Sequence, residues 1–272
     1  MTDVVTLTMR DGIDESVDLD GITPDRIGSL DEHAIAALPV RIGRREAQVG
    51  DIFSVRGGRT ARMRVAGDLR RVTGLGAGIS GGEMIVEGDV GCRLAARMRG
   101  GWIDVRGNAG DDAGMAMQGG ALRIVGNAGD RVGATLPGAS KGMTGGEIIV
   151  NGDAGADAAA RTRRGLVVVT GSVGDRAGRA MIAGTLVAFG NIAGPAGRGS
   201  KRGSVVAFAA VEIPGTYRYA CTYQPPHLRL LLTYLRRRYG ISVDDAALNG
   251  RFERYCGDAG TVGKGEILRL VR

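Results

Sequence analysis

A glycine ladder with nearly constant spacing runs through the middle of this 272-residue chain. Its leading glycines are Gly88, Gly107, Gly126, Gly152, Gly171 and Gly190, which gives steps of 19, 19, 26, 19 and 19 residues. The longer step is one period plus seven residues, which lie around Ala134 to Ser140. Self-similarity at a period of about 20 residues is the signature of stacked coils, so the sequence predicts a solenoid.

A short alternating run precedes each leading glycine, and alternate residues of a strand point to opposite faces. One column of alternate positions reads Met63, Met84, Ile103, Leu122, Ile148, Val167, Leu186 and Val205. The second reads Val65, Val86, Val105, Ile124, Val150, Val169, Ala188 and Ala207. Both columns are wholly apolar, so we expect both to face inward, with a methionine column at Met98, Met117, Met143 and Met181 filling gaps in the core.

These patterns predict an all-β dominated fold, a right-handed single-stranded parallel β-helix, with an N-terminal α+β cap and a C-terminal helical segment. We expect the cap at residues 1–55, the glycine-repeat β-helix at 56–212, and a C-terminal helix and extension at 213–272. The cap would shield the backbone groups that an open solenoid end exposes. Pro225-Pro226 introduces the predicted helix, whose apolar face runs from Leu228 to Tyr239 and which ends at Gly240.

The outward positions of the late coils form an apolar surface. Its residues are Ile149, Val168, Val187 and Val206, with Phe189 and Phe208 on the neighbouring column. Monomers seldom leave a contiguous apolar patch of this kind exposed. Two covers remain open at the level of sequence: the helix from Leu228 to Tyr239, or another subunit, for which these six residues are the candidate interface.

The formal net charge is +7, and lysine occurs only at Lys141, Lys201 and Lys264, so arginine carries most of the positive charge. Basic residues cluster beside the bends that close the coils. We name Arg161, Arg163, Arg164, Arg198, Lys201 and Arg202 as candidate contacts to a polyanion, because guanidinium groups match carboxylates and phosphates. The alternative interpretation is a solvated rim that favours solubility.

The sequence offers little for catalysis. His33 and His227 are far apart and lack metal-ligand spacing, so we name no catalytic residue and no metal ligand. Three widely separated cysteines suggest no disulfide framework, and we expect each to be a buried thiol. The chain has no signal-peptide pattern and no apolar run of about 20 residues, so we expect a cytoplasmic protein without a membrane partner. Charge alone suggests nucleic acid, which we do not expect as a partner.

The Gly-Asn-x-Gly-Asp units at Gly107 to Asp111 and Gly126 to Asp130 resemble the glycine-repeat domain at the carboxyl end of the glutamate synthase large subunit. The chain more closely resembles the C subunit of formylmethanofuran dehydrogenase. That resemblance extends to both flanks of the ladder. Its flanking motifs are Pro39-Val40-Arg41-Ile42-Gly43, Val49-Gly50-Asp51-Ile52-Phe53, Gly257-Asp258 and Gly263-Lys264-Gly265-Glu266-Ile267.

The resemblance implies a noncatalytic scaffold subunit of a hetero-oligomeric complex in one-carbon metabolism. In the bacterial form, a formyltransferase/hydrolase complex of methylotrophy, other subunits move a formyl group from a methanofuran-type carrier such as methylofuran to tetrahydromethanopterin and release formate. The metal would lie in another subunit, and this chain alone would bind no cofactor. The resemblance also implies a carrier with a polyanionic, glutamate-rich tail, which the basic coil edges would tether.

Two alternatives remain open. The chain is also similar to the C subunit of a molybdenum or tungsten formylmethanofuran dehydrogenase, although its preference for arginine over lysine favours the bacterial complex. A stand-alone β-helix enzyme acting on an anionic polymer would place carboxylates or histidines on one outward strand column. The late outward columns are instead aliphatic.

Overall fold

The computed structural model describes residues 4–271, so residues 1–3 of the predicted cap and residue 272 of the predicted extension lie outside it. Most of the regular structure is strand. The strands are β1 (Val5–Met9), β2 (Val17–Asp18), β3 (Pro39–Ile42), β4 (Arg45–Gln48), β5 (Phe53–Arg56), β6 (Arg62–Ala66), β7 (Val72–Thr73), β8 (Glu83–Glu87), β9 (Trp102–Val105), β10 (Ala121–Ile124), β11 (Thr144–Val150), β12 (Arg164–Val169), β13 (Thr185–Ala188), β14 (Arg202–Ala207), β15 (Arg218–Tyr223), β16 (Phe252–Gly257) and β17 (Lys264–Leu270). The helices are α1 (Pro24–Ile27), α2 (Glu32–Ala36), α3 (Val49–Ile52), α4 (Pro226–Tyr239) and α5 (Asp245–Leu248).

One large, mostly parallel sheet runs the length of the molecule. Its strand order is β15-β16-β17-β14-β13-β12-β11-β10-β9-β8-β6-β1-β5, so consecutive coils lie side by side from β6 to β14. A smaller sheet, β4-β3-β2-β7, lies at the N-terminal end. This is the β-helix-like architecture that the glycine ladder predicts.

The strand register confirms both predicted inward columns. Met84 pairs with Ile103 and Val86 with Val105, and the same alignment holds from β6 through β14. Every residue of the two columns is buried, as is the predicted methionine column. The core is therefore a stack of aliphatic layers that no single coil could bury by itself.

Two further ladders close each coil. A line of single bridges links Val90, Ala109 and Ala128 and continues through Val173 to Ile192. On the third side, which we call the turn face, alternate residues have positive φ, including Arg93, Asp112 and Arg131. Backbone hydrogen bonds join neighbouring turns, as from the amide of Gly114 to the carbonyl of Leu94 at 2.8 Å.

The leading glycines stack directly on one another. The amide of Gly126 donates to the carbonyl of Gly107 at 2.9 Å, and Gly171 donates in the same way to Gly152. A Cβ on Gly107 would lie 2.4 Å from the carbonyl carbon of Gly88 and 2.5 Å from its oxygen. Real Cβ atoms do not approach backbone so closely, so the ladder reflects contact between backbones of successive coils.

The two ends of the sheet are finished by strands outside the ladder. At the first coil, β1 pairs in parallel with β6 and antiparallel with β5. At the last coil, β17 pairs in parallel with β14 and antiparallel with β16, and β15 follows as the edge strand. The chain thus returns to the stack after α4 and adds a final rung.

Helix α4 forms a second layer on the outward face of the late strands. Its buried residues Leu228, Leu232 and Leu235 share a cluster with Ile149, Val168, Val187 and Val206. At its C-terminal end, the hydroxyls of Tyr234 and Tyr239 donate to the carboxylate of Glu147 on β11. The apolar face of the late coils is thereby buried within the chain.

No helix among residues 4–271 is long and apolar enough to cross a membrane. The thiols correct one expectation: Cys92 and Cys221 are exposed and Cys256 is half-buried, so the prediction of three buried cysteines is wrong. Cys92 lies in a turn of the ladder, and Cys221 and Cys256 lie on β15 and β16, beyond the last coil of the ladder.

The stacked glycines yield a stability test. We expect Gly107→Ala to lower the free energy of unfolding by about 1–3 kcal/mol, because the new methyl group meets backbone that cannot move aside. Gly81→Ala is the matched control, since a Cβ there has nothing within 4 Å and its φ is not positive. Urea unfolding followed by circular dichroism measures both. Equal stability of the two variants would contradict the close-contact account.

The helix cover yields a second test. Leu232 is 1% exposed beneath α4, whereas Leu230 on the same helix is 73% exposed. We expect Leu232→Ala to lower the free energy of unfolding by about 2–5 kcal/mol through a cavity, and Leu230→Ala to change it by less than about 0.5 kcal/mol. Thermal unfolding measures both variants. If both substitutions lower the free energy of unfolding equally, α4 does not cover the late coils in solution.

Candidate functional site

The predicted polyanion contacts fall into two groups, and the first is at the corner where each coil turns into its strand. The amides of Arg163 and Lys201 donate to carbonyls of Met143 and Met181 in the preceding coils, both at 2.8 Å. Arg164 and Arg202 follow them as the first residues of β12 and β14. We call the side chains of Arg163, Arg164, Lys201 and Arg202 the basic corner. One intervening coil, with Ile182 and Ala183 at the equivalent positions, separates its two pairs.

The basic corner has no counter-charge among the residues that the structure describes. All four side chains are exposed, and among residues 4–271 none has a carboxylate oxygen within 4.0 Å, in contrast to arginines elsewhere on the surface. Two pairs of cations, separated by one coil and without a carboxylate partner among the described residues, create a local positive potential that a flexible anion can follow. The arrangement is suited to attracting and holding a polyanion.

The second group, Arg161 and Arg198, lies on the turn face. The amide of Arg161, which has a φ of 57°, donates to the carbonyl of Arg179 at 2.9 Å. The amide of Ala180 donates in turn to the carbonyl of Arg198 at 2.8 Å. Three arginines therefore occupy neighbouring positions on successive turns. The sequence analysis missed Arg179, although it lies one 19-residue period before Arg198 and the same spacing could have found it.

The seven-residue insertion in the ladder forms a loop over this part of the turn face. A cavity of about 670 Å³ lies between the loop and the arginines. It is lined by Asp112, Arg131, Arg161 and Arg179 together with residues 135–139 of the loop. The structure thus brings Arg161 to a cavity, while Arg163 and Arg164, two and three residues later, lie at the corner.

Most charges on the turn face are already paired. Asp157 accepts from Arg176 and Arg179, each at 2.8 Å, and Asp112 accepts from Arg131 at 2.7 Å. Burial alone would raise the pKa of Asp157, but the hydrogen bonds from the two guanidinium groups outweigh it and leave the pKa below its usual value. Because these groups neutralise one another, the turn face is chiefly an ion-pair lattice, whereas the corner is unpaired.

The six predicted interface residues divide in the same way. Ile149, Val168, Val187 and Val206 are fully buried beneath α4. Phe189 and Phe208 stack with ring centroids 4.6 Å apart and line a cavity of about 510 Å³ beside α5. This cavity leaves part of the predicted apolar surface open.

No group of three or more His, Cys, Asp or Glu side chains capable of holding a metal ion occurs among residues 4–271. His33 and His227 are both exposed, on α2 and α4 respectively. The residues with the clearest binding chemistry are therefore the cations of the corner.

We compared the chain with known proteins. No family model matches the chain. The C subunit of the formyltransferase/hydrolase complex Fhc from Methylorubrum extorquens is 36% identical over 89 residues, a segment that covers 33% of this chain and 34% of that protein. The alignment thus spans about a third of that curated relative.

A solved structure extends the similarity to the whole chain. It is the X-ray crystal structure of the formyltransferase/hydrolase complex FhcABCD from Methylorubrum extorquens in complex with methylofuran. One of its chains superposes with a TM-score of 0.88 at 34% sequence identity, over 98% of this chain and 100% of that chain. The likeness to the glutamate synthase repeat domain stays a prediction. The closer resemblance, inferred from the ladder and its flanks, is confirmed, and the chain belongs to the family of the C subunit of the formyltransferase/hydrolase complex.

Proposed function

We propose that this chain is the noncatalytic scaffold subunit of a formyltransferase/hydrolase complex. In that complex other subunits move a formyl group from a methanofuran-type carrier to tetrahydromethanopterin and release formate, and the metal lies in one of them. The observation that carries the proposal is the full-length match to a chain of the FhcABCD assembly. The complex would act in the cytoplasm.

The architecture supports a scaffold role. Each strand turns aliphatic side chains inward on one face, and α4 covers the outward face of the late coils. We propose that the coils wind in a right-handed sense, with residues 1–55 as the N-terminal cap, 56–212 as the glycine-repeat β-helix and 213–272 as the C-terminal extension. Such a stack presents a long, rigid surface to other subunits.

We propose further that the basic residues tether the polyanionic tail of the carrier. The proposed contacts are Arg161, Arg163, Arg164, Arg198, Lys201 and Arg202. The four corner cations support this most strongly, because they are exposed and have no carboxylate partner among the described residues. A tether of this kind raises the local concentration of the carrier near the catalytic subunits without taking part in chemistry.

Of the six predicted interface residues, only Phe189 is half-buried, and it lines the cavity beside α5, whereas Phe208 is buried. The four aliphatic residues beneath α4 are buried in the isolated chain. We therefore propose that the partner contact lies at the rim near α5 and not on the strand face itself.

Affinity purification of the tagged chain from its native host tests the scaffold proposal. We expect co-purification of an amidohydrolase-like subunit and a formyltransferase subunit, and turnover of the formylated carrier only by the assembly. Recovery of molybdenum or tungsten and iron–sulfur subunits would assign the chain instead to a dehydrogenase. Turnover by the isolated chain would overturn the noncatalytic role.

The tether has a separate test in the assembled complex. We expect replacement of Arg161, Arg163 and Arg164 by alanine to weaken carrier affinity about tenfold at low salt, since three partly exposed charges are lost. The difference should shrink as ionic strength rises. The matched control replaces Arg41, Arg44 and Arg56, which are exposed at the N-terminal end. The tether proposal would be contradicted if the wild type and the triple variant bound the carrier with equal affinity and that affinity did not depend on salt.

A further inference from the structure

The last coil is held by a segment from a distant part of the chain. Residues 197–202, which carry Arg198, Lys201 and Arg202, form the final turn and corner of the ladder. Residues 257–265, which include the connection between β16 and β17, lie directly against them. We call residues 257–265 the clasp.

Asp258 is the central residue of the clasp. The residue is 4% exposed, and its side chain accepts from two backbone amides, Gly199 at 2.7 Å and Gly260 at 2.8 Å, through different oxygens. Burial would raise the pKa of Asp258, but these two hydrogen bonds and the charge of Arg198 leave the pKa below its usual value. A buried ionised carboxylate thus joins the clasp to the turn that carries Arg198.

Other clasp residues bind the same turn. The hydroxyl of Thr261 donates to the carbonyl of Ser200 at 2.6 Å. Behind the clasp, the buried hydroxyl of Tyr217 donates to the carbonyl of Gly197 at 2.8 Å, and burial raises the pKa of Tyr217 to about 12. Successive residues of the final turn are therefore fixed by groups from outside the ladder.

The clasp also contributes a further cation to this surface. Lys264 pairs with Arg202 in the register of β14 and β17, and its amide approaches the carbonyl of Lys201 at 3.3 Å. Its side chain is exposed, and no carboxylate of the described part of the chain lies within 4.0 Å of it. Since neighbouring strands are about 4.8 Å apart, Lys264 continues the basic corner by one rung.

We propose that Lys264 is an additional anion-binding residue of the basic corner and that the clasp, through Asp258, positions the final turn so that the cations of β14 and β17 act together on an extended polycarboxylate. This inference rests on the proposed tether. A glycine-rich turn such as Gly197-Arg198-Gly199 has large conformational freedom when unrestrained. Fixing it before the ligand arrives lowers the entropy cost of binding.

The contribution of Lys264 is tested with a fluorescent oligo-γ-glutamate probe and the full chain in its complex. We expect Lys264→Gln to weaken probe binding about threefold at low salt and to flatten the dependence of affinity on salt. Arg44→Gln, which removes an exposed charge at the opposite end, is the matched control and should bind as the wild type does. If the Lys264→Gln variant binds the probe with the affinity and salt dependence of the wild type, Lys264 is not part of the anion-binding site.

The substitution Asp258→Asn tests the role of Asp258, because loss of its charge and loss of its positioning hydrogen bonds would change probe affinity in opposite directions. Asp258→Asn removes a negative charge near Arg198, so electrostatics alone would tighten binding of the probe. An asparagine, however, has one acceptor oxygen and cannot accept from both amides through separate oxygens. The clasp therefore predicts weaker binding, together with faster hydrogen exchange of the Gly199 amide. Tighter or unchanged binding would overturn the positioning role.

Thr261→Val provides a second variant if Asp258→Asn does not fold. It keeps every charge and nearly the same shape, but it removes the hydroxyl that bonds Ser200. We expect weaker probe binding with an unchanged number of cations. If the wild-type complex fails to bind the probe, the tether itself is wrong. If the wild type binds and the Lys264 and clasp variants bind equally well, only this inference is wrong.

Discussion

Direct contact between the backbones of successive coils is the constraint on which the rest of this structure depends. The leading glycines stack so closely that a methyl group on most of them would lie within about 3 Å of the coil before it. This contact fixes the register of the coil strands from β9 to β14, and the register in turn aligns the inward aliphatic columns and the outward charged and apolar ones. A surface feature such as the basic corner exists because residues 38 positions apart in sequence, such as Arg163 and Lys201, are brought two coils apart in space.

Within that frame the two long faces acquire different characters. The late outward face is aliphatic and is sealed by α4, which is fastened at its C-terminal end by the tyrosine hydroxyls on Glu147 and by the stacking of Trp102 on Tyr239. The turn face is charged, but its aspartates and arginines are largely paired. The corner between them concentrates unpaired cations. This difference in charge pairing is why we propose a binding role for the corner.

Much of the fold could be predicted because it is periodic. A spacing of 19 residues determines which side chains share a column, and the apolar columns from Met63 to Val205 and from Val65 to Ala207 followed directly. The final rung could not be found in this way. β17 joins the stack after an excursion through α4, so Lys264 stands 62 residues from Arg202 and outside any period. Its hydrogen-bonded neighbours, and not its spacing, identify it as part of the corner. The motif Gly263 to Ile267 was visible in the sequence only as part of a family resemblance.

The division of the basic residues was hidden for a related reason. Arg161 and Arg163 are close in sequence, yet the sharp bend between turn face and corner sends them to different surfaces, and positive φ at Arg161 is not apparent from residue type.

Reconstitution tests the scaffold account most directly: the chain is added to a complex that lacks it, and formyl transfer is measured for the partial complex, the chain alone and the mixture. The account predicts no turnover by the chain alone and a rise in transfer only in the mixture. Turnover of the formylated carrier by the chain alone would contradict it.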